Sequence, residues 1–167
     1  MAAGAMAESS MGPLHDLDTP AAVVDTARMQ RNIARMQRRM DELGVRFRPH
    51  VKTSKCLPVV QAQLAAGARG ITVSTLKEAR QFFDAGITDI LYAVGIVAGK
   101  LPAVLDLRRQ GCDLKILTDS VDGAQAIVAF ARAHQARFEV WIEIDTDDHR
   151  SGIPPEGDAL LPVARTL

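Results

Sequence analysis

Three ionisable side chains stand two residues apart in the run Arg46–Thr53 (RFRPHVKT): Arg48, His50 and Lys52. In an extended segment such residues point to one side, so Phe47, Pro49 and Val51 take the other. Phe138–Asp145 (FEVWIEID) repeats the alternation, with Phe138, Val140, Ile142 and Ile144 opposite Glu139, Trp141, Glu143 and Asp145. Thr72 and Ser74 do the same on a run between them. If the apolar sides meet helices, several strands put polar groups on one shared face. A lysine crowded there is partly desolvated, its ammonium form is disfavoured, and it becomes a usable amine nucleophile. The chemistry that fits is a Schiff base to an aldehyde cofactor or a carbonyl substrate. The alternative is a strand-end lysine that reaches solvent or pairs with Glu143 or Asp145.

Other candidates carry less. Asp145, Asp147, Asp148 and His149 are hard-ion ligand types but match no EF-hand spacing, which favours a solvated loop over a metal site. Gly95–Lys100 (GIVAGK) has three residues between its glycines rather than four, and Leu101 follows where a phosphate loop has Ser or Thr. Cys56 begins a helix, but a small buried apolar role suits it better than an activated thiol. His15 and His134 read as surface residues. Arg28, Arg31, Arg35, Arg38 and Arg39 read as a solvated helix face rather than an anion site.

The elements that position these residues alternate regularly. Strands are expected at Ala21–Asp25, Arg46–Thr53, Gly70–Ser74, Asp89–Ala93, Leu114–Thr118 and Phe138–Asp145. Helices are expected at Thr26–Leu43, Leu57–Ala66, Leu76–Ala85, Gly99–Gln110 and Val121–His134, with a last one beginning after the polar loop Thr146–Glu156. In the first helix Met29, Ile33, Met36, Met40 and Leu43 recur at three- and four-residue spacing and should face the core. Gly44, Gly67, Gly86 and Gly111 fall where helices should end.

The strand ends Lys52, Ser74, Ala93, Thr118 and Asp145 are 22, 19, 25 and 27 residues apart. Regular βα units at that interval imply a parallel sheet with helical crossovers. The expected fold is α/β, a parallel (β/α) barrel of the TIM type, represented by its N-terminal part only, about five of eight strands. A doubly wound sheet of five strands is the alternative, and the polar shared face disfavours it. The expected organisation is a mobile tail over residues 1–16, a strand within 17–25, and the partial barrel over 26–167. Lys52, Ser74 and Asp145 would then lie at the C-terminal ends of strands, where barrel active sites form.

Composition narrows the class. The 167 residues are 47% hydrophobic and 24% charged, with 20 basic and 20 acidic side chains. That balance excludes a strongly basic nucleic-acid binder and gives no whole-chain attraction to an anionic membrane. The two cysteines form no C-x-x-C pair, which argues against a disulfide scaffold or structural zinc and fits a reducing compartment. No apolar stretch approaches the ~20 residues that span a bilayer, and the first sixteen residues lack a signal-peptide pattern. A cytoplasmic location is expected.

Four motifs occur in order: Leu17-Asp18-Thr19-Pro20, RPHVKTSK (Arg48–Lys55), GARGITVSTLKEA (Gly67–Ala79) and EIDTDDHRSGI (Glu143–Ile153). Together they resemble the alanine-racemase-like, fold-type III pyridoxal phosphate enzymes, most closely the branch with D-threonine aldolase and D-serine dehydratase. By that resemblance Lys52 holds pyridoxal phosphate as a Schiff base, Arg150 contacts the cofactor's phenolic oxygen, Ser74 lines the cofactor pocket, and His50 sits one pleat behind Lys52. Relatives often read HVKTHK, and Ser54 here replaces their second histidine.

The resemblance implies a lyase acting on small β-hydroxy-D-amino acids, by retro-aldol cleavage to glycine and an aldehyde. Elimination by a D-serine dehydratase, or racemisation, is the alternative within the family. It places the phosphate-gripping loops, the divalent-metal ligands and a C-terminal β-domain beyond Leu167, with no metal site in this chain. The strand within 17–25 would pack with that domain, and the full-length protein would be a homodimer. A different class remains open, a single-domain protein that carries pyridoxal phosphate without turnover, and the LDTP and PHVKT motifs favour the enzyme. The plainest alternative is a half-barrel with no cofactor.

Overall fold

The computed structural model describes residues 14–147 and 150–167, the His15 side chain excepted. The expected tail up to Pro13, and the loop residues Asp148 and His149, lie outside the described residues. Within them the order is α1 (Thr26–Glu42), α2 (Leu57–Ala65), β1 (Ile71–Val73), α3 (Leu76–Asp84), β2 (Asp89–Gly95), α4 (Leu101–Arg109), β3 (Asp113–Thr118), α5 (Val121–Ala133), β4 (Glu139–Ile142) and α6 (Leu160–Thr166). The four strands form one parallel sheet in the order β1-β2-β3-β4. This is the α/β, TIM-barrel-like arrangement expected, N-terminal part only. No helix among the described residues is long and apolar enough to cross a membrane.

The sheet has two different faces. Ile71, Val73, Ile90, Tyr92, Leu114 and Ile116 are fully buried beneath the helices, in one core that also takes in Val60, Val104 and Ile127. Burying each such aliphatic side chain contributes about 1.5–3 kcal/mol. The opposite face carries Thr72, Leu91, Lys115 and Trp141, alternating with the core residues as a pleated strand demands.

Three expectations are corrected. Arg46–Thr53 is not a continuous strand. It runs parallel to β1 with one bridge, His50 to Thr72, supported by bonds from Val51 N–H to Thr72 O (2.9 Å) and from Thr72 N–H to Pro49 O (2.8 Å). In this register the next rung needs an N–H at position 49, and Pro49 has none. The alternation of side chains survives the broken ladder. Ala21–Asp25 forms no strand, and Val23 and Val24 are exposed. The Gly99–Gln110 helix begins as a 3₁₀ turn at Ala98–Lys100, and the α-helix starts beside Pro102, whose ring suits a first turn.

On α1 the expected apolar face is only half used. Met36 and Leu43 stay exposed, while Gln37 is the buried residue and donates to Asp41 Oδ1 (2.8 Å). The helix-ending glycines behave as expected, each at positive φ.

Candidate active site

The polar face of the sheet is organised in two levels. At its N-terminal end, Arg48 pairs with Asp89 (Nη1–Oδ1 2.8 Å, Nη2–Oδ2 2.9 Å), and Lys115 reaches both Asp89 Oδ1 (2.6 Å) and Asp113 Oδ2 (2.5 Å). Gly70 makes this possible, since a Cβ there would lie 2.2 Å from Arg48 Nη1 and 2.5 Å from Asp89 Oδ2. Burial alone would raise the Asp89 carboxyl, but the Arg48 and Lys115 hydrogen bonds and charges hold it below the usual range. Burial would likewise lower Lys115, and its two carboxylate partners raise it above the ordinary lysine value.

At the C-terminal ends of the strands lies a cleft of about 390 Å³, lined by His50, Lys52, Gly95, Asp119, Glu143, Arg150 and Ser151 among others. Its place outside the carboxyl ends of parallel strands is where α/β folds bind ligands. Three of the four expected site residues meet there: Lys52, His50 and Arg150. The fourth, Ser74, stands behind His50, its Oγ 3.3 Å from Nε2. Lys52 is exposed at the cleft wall rather than desolvated, because the described sheet leaves that side open.

His50 is held from both sides. The Lys52 backbone N–H donates to Nδ1 (3.4 Å), which leaves the ring proton on Nε2, facing Ser74 Oγ. Burial first, and then the positive charge of Lys52, lower His50 from its ordinary 6.5, with Arg150 pushing the same way and Glu78 opposing. The imidazole is therefore neutral at pH 7. A His pKa lower in the folded than in the unfolded chain adds stability above about 6.5 that is lost as pH falls through the folded value. In an NMR titration His50 should titrate below 6.5 and move upward in Lys52→Ala. An unchanged midpoint in that variant would show that the two do not interact.

Arg150 reaches the cleft through a tight loop. Asp145 N–H donates to Ile153 O and Ile153 N–H to Glu143 O, both 2.9 Å, so the chain returns to run parallel beside itself. Gly152 sits in the crossing at φ +102°, and a Cβ there would lie 2.7 Å from Asp145 N and 2.8 Å from Ile144 C. Ser151 Oγ donates to Glu143 Oε1 (3.1 Å), tying the loop to the end of β4. Gly152→Ala should cost about 2 kcal/mol by urea unfolding, from left-handed strain plus backbone overlap. A loss under about 0.5 kcal/mol would mean the loop relaxes freely.

Sequence reasoning missed Asp119 and Gly95 as cleft residues. Both follow the rule that strand ends line such sites, since Gly95 ends β2 and Asp119 follows β3. Neither residue type signals chemistry by itself.

The donor set tests well against pyridoxal phosphate. An amine for the aldehyde, a guanidinium for an anionic ring oxygen and a neutral imidazole face one open cleft with room for a flat aromatic ring.

The family model described as "Alanine racemase, N-terminal domain" matches residues 24–166. The chain is 67% identical over 152 residues to a D-threo-3-hydroxyaspartate dehydratase from Delftia sp. (strain HT23), covering 90% of this chain and 40% of that protein. It is 36% identical to a D-threonine aldolase from Arthrobacter sp., covering 89% of this chain and 39% of the relative. A solved structure of the Delftia sp. HT23 dehydratase superposes with a TM-score of 0.87 at 66% identity, over 90% of this chain and 40% of that one. At 22% identity an alanine racemase from E. faecalis (TM-score 0.66, 85% of this chain and 38% of that one) shares the fold. The chain thus spans about two fifths of the length of the relatives it matches. Matched by that family model over nearly all its described length, the chain belongs to the alanine racemase N-terminal domain family, of fold-type III.

Proposed function

We propose that the whole protein is a pyridoxal phosphate-dependent lyase acting on β-hydroxy-D-amino acids. The observation that carries this is the convergence of Lys52, His50 and Arg150 on one cleft at the C-terminal ends of a parallel sheet. Bound there, pyridoxal phosphate supplies an electron sink for charge that develops at the substrate Cα. The Lys52 amine would hold the cofactor aldehyde, Arg150 would donate to its phenolic oxygen, and the neutral His50 ring, fixed by Ser74, would line its pocket. Glu143, held by Ser151, lines the same cleft.

Two reactions start from such substrates: retro-aldol cleavage of the Cα–Cβ bond and elimination of the β-hydroxyl. The 67% identity to a dehydratase against 36% to an aldolase favours elimination. The substrate we favour is D-threo-3-hydroxyaspartate, converted to oxaloacetate and ammonia. On this reading the divalent metal and the phosphate grip belong to parts of the protein beyond these residues. The stretch 17–25, with Val23 and Val24 exposed, packs with the C-terminal β-domain, and the protein works as a cytoplasmic homodimer.

The test is an assay of the whole protein, loaded with pyridoxal phosphate, on D-threo-3-hydroxyaspartate, D-serine and D-threonine. Ammonia and a 2-oxo acid from the first, with kcat/KM at least about tenfold above D-serine, is expected. Glycine and an aldehyde would identify the aldolase instead. Racemised substrate, or no conversion of any of the three, would overturn the lyase reading.

A further inference from the structure

Lys52 opens a short turn, residues 52–55, closed by the bond from Lys55 N–H to Val51 O (2.9 Å). Lys55 sits at φ +45°, a left-handed conformation uncommon for a residue other than glycine. The partner of its side chain is Glu78 on α3. Its Oε1 takes the Lys55 ammonium at 2.9 Å, and its Oε2 takes the Ser74 N–H at 2.9 Å. The Glu78 side chain is only 7% exposed, against 61% for Lys55.

One buried carboxylate therefore touches both approaches to Lys52. Through Lys55 it holds the turn that follows the lysine. Through Ser74 it holds the residue that fixes His50, which in turn receives the Lys52 N–H. Burial alone would raise the Glu78 carboxyl, but the Ser74 N–H and then Lys55 bring it below its ordinary value, so the charge is present at neutral pH.

We infer that Glu78 is a positioning residue for Lys52, clamping the 52–55 turn and the His50–Ser74 pair from beneath. It lines no part of the cleft. The inference rests on the reading of Lys52 as the cofactor-binding amine, and the geometry of the clamp stands without it. The competing explanation is local: Thr75 Oγ1 accepts the Glu78 N–H (3.0 Å), so Glu78 is also part of the N-terminal cap of α3.

The variants separate the two. Glu78→Gln keeps the length and an acceptor for the Ser74 N–H, so the cap survives, but it removes the charge that holds Lys55. Lys55→Met removes the other half of the ion pair without touching α3, and Lys55→Arg keeps it. In the whole protein, two rates are followed: hydrogen exchange at the Lys55 amide, and fixation of pyridoxal phosphate on Lys52 by borohydride. Glu78→Gln and Lys55→Met should each speed exchange about fivefold and slow fixation by a similar factor. The double variant should add nothing to either, and Lys55→Arg should match the parent. If Glu78→Gln leaves both rates unchanged, Glu78 is only a cap and the proposal is overturned. If the parent fixes no pyridoxal phosphate, the cofactor reading fails. Exchange at Lys55 still decides the clamp, and an unchanged rate in both single variants overturns it.

Discussion

Lys52→Ala should leave the whole protein folded and stop it from working. Lys52 is exposed and makes no side-chain bond that supports the sheet, so its truncation should change stability by no more than about 0.5 kcal/mol. The amine, however, has no substitute in the cleft, because Lys52 is the only lysine among the described residues that line it, and neither an imidazole nor a guanidinium takes the place of a primary amine in a Schiff base. The variant should show no borohydride-fixed pyridoxyl group at position 52, and a turnover at least about 10³-fold below the parent. Peptide mapping after reduction reads the first and the D-amino acid assay reads the second. Lys52→Arg should fail equally, since a guanidinium is not a nucleophile at neutral pH. Retention of a tenth of the activity by either variant would remove Lys52 from the centre of the mechanism.

The largest effect on stability should come from the opposite end of the same face. Asp89→Ala strips Arg48 of its carboxylate and leaves the nearly buried Lys115 with Asp113 alone. Deleting one partner of a fully buried pair costs about 3–5 kcal/mol, and the partial exposure of Asp89 brings the expectation to about 3 kcal/mol. The pH dependence has a definite sign. A carboxyl lowered by folding contributes stability above its unfolded value of about 3.8, lost as pH falls through the folded value. A lysine raised by folding contributes stability below about 10.5, lost as pH rises through its folded value. The parent should therefore show a plateau with limbs at both ends. Asp89→Ala should flatten the acid limb as well as lower the plateau, in urea titrations from pH 3 to 8. A uniform drop with an unchanged acid limb would mean that Asp89 acts by packing alone.

How much of this could be read from residue order depends on the range of the interaction. The βα rhythm and the capping glycines are local, and they appear where expected. The shared face of Arg48, His50 and Lys52 follows from a two-residue period that survives even where Pro49 breaks the ladder. What failed needed a partner at a distance. Ala21–Asp25 has the valines of a strand, but a strand exists only beside another, and none adjoins it among the described residues. On α1 periodicity put Met36 and Leu43 inward, while packing against α2 and the Arg46–Thr53 segment chose Gln37. Glu78 was hidden for the same reason, since its meaning lies in Lys55, 23 residues away and on another element. In the site, Lys52 was legible from its pattern, Arg150 only through resemblance, and Asp119 only from space.

Trp141 is the single tryptophan of the chain and Tyr92 the single tyrosine, and they stand in opposite settings. Tyr92 is sealed in the core with its hydroxyl held by Lys100 Nζ at 2.7 Å. Trp141 stands on the polar face, 6.0 Å from the Arg48 guanidinium, with its Nε1–H donating to Glu139. The molecule thus carries its own optical gauge. Within these 167 residues, ultraviolet emission excited at the indole comes from one known point, between the ion-paired floor and the lysine level above it. In this chain, loosening of the floor by acid can be followed as a change in one fluorophore, with no label added.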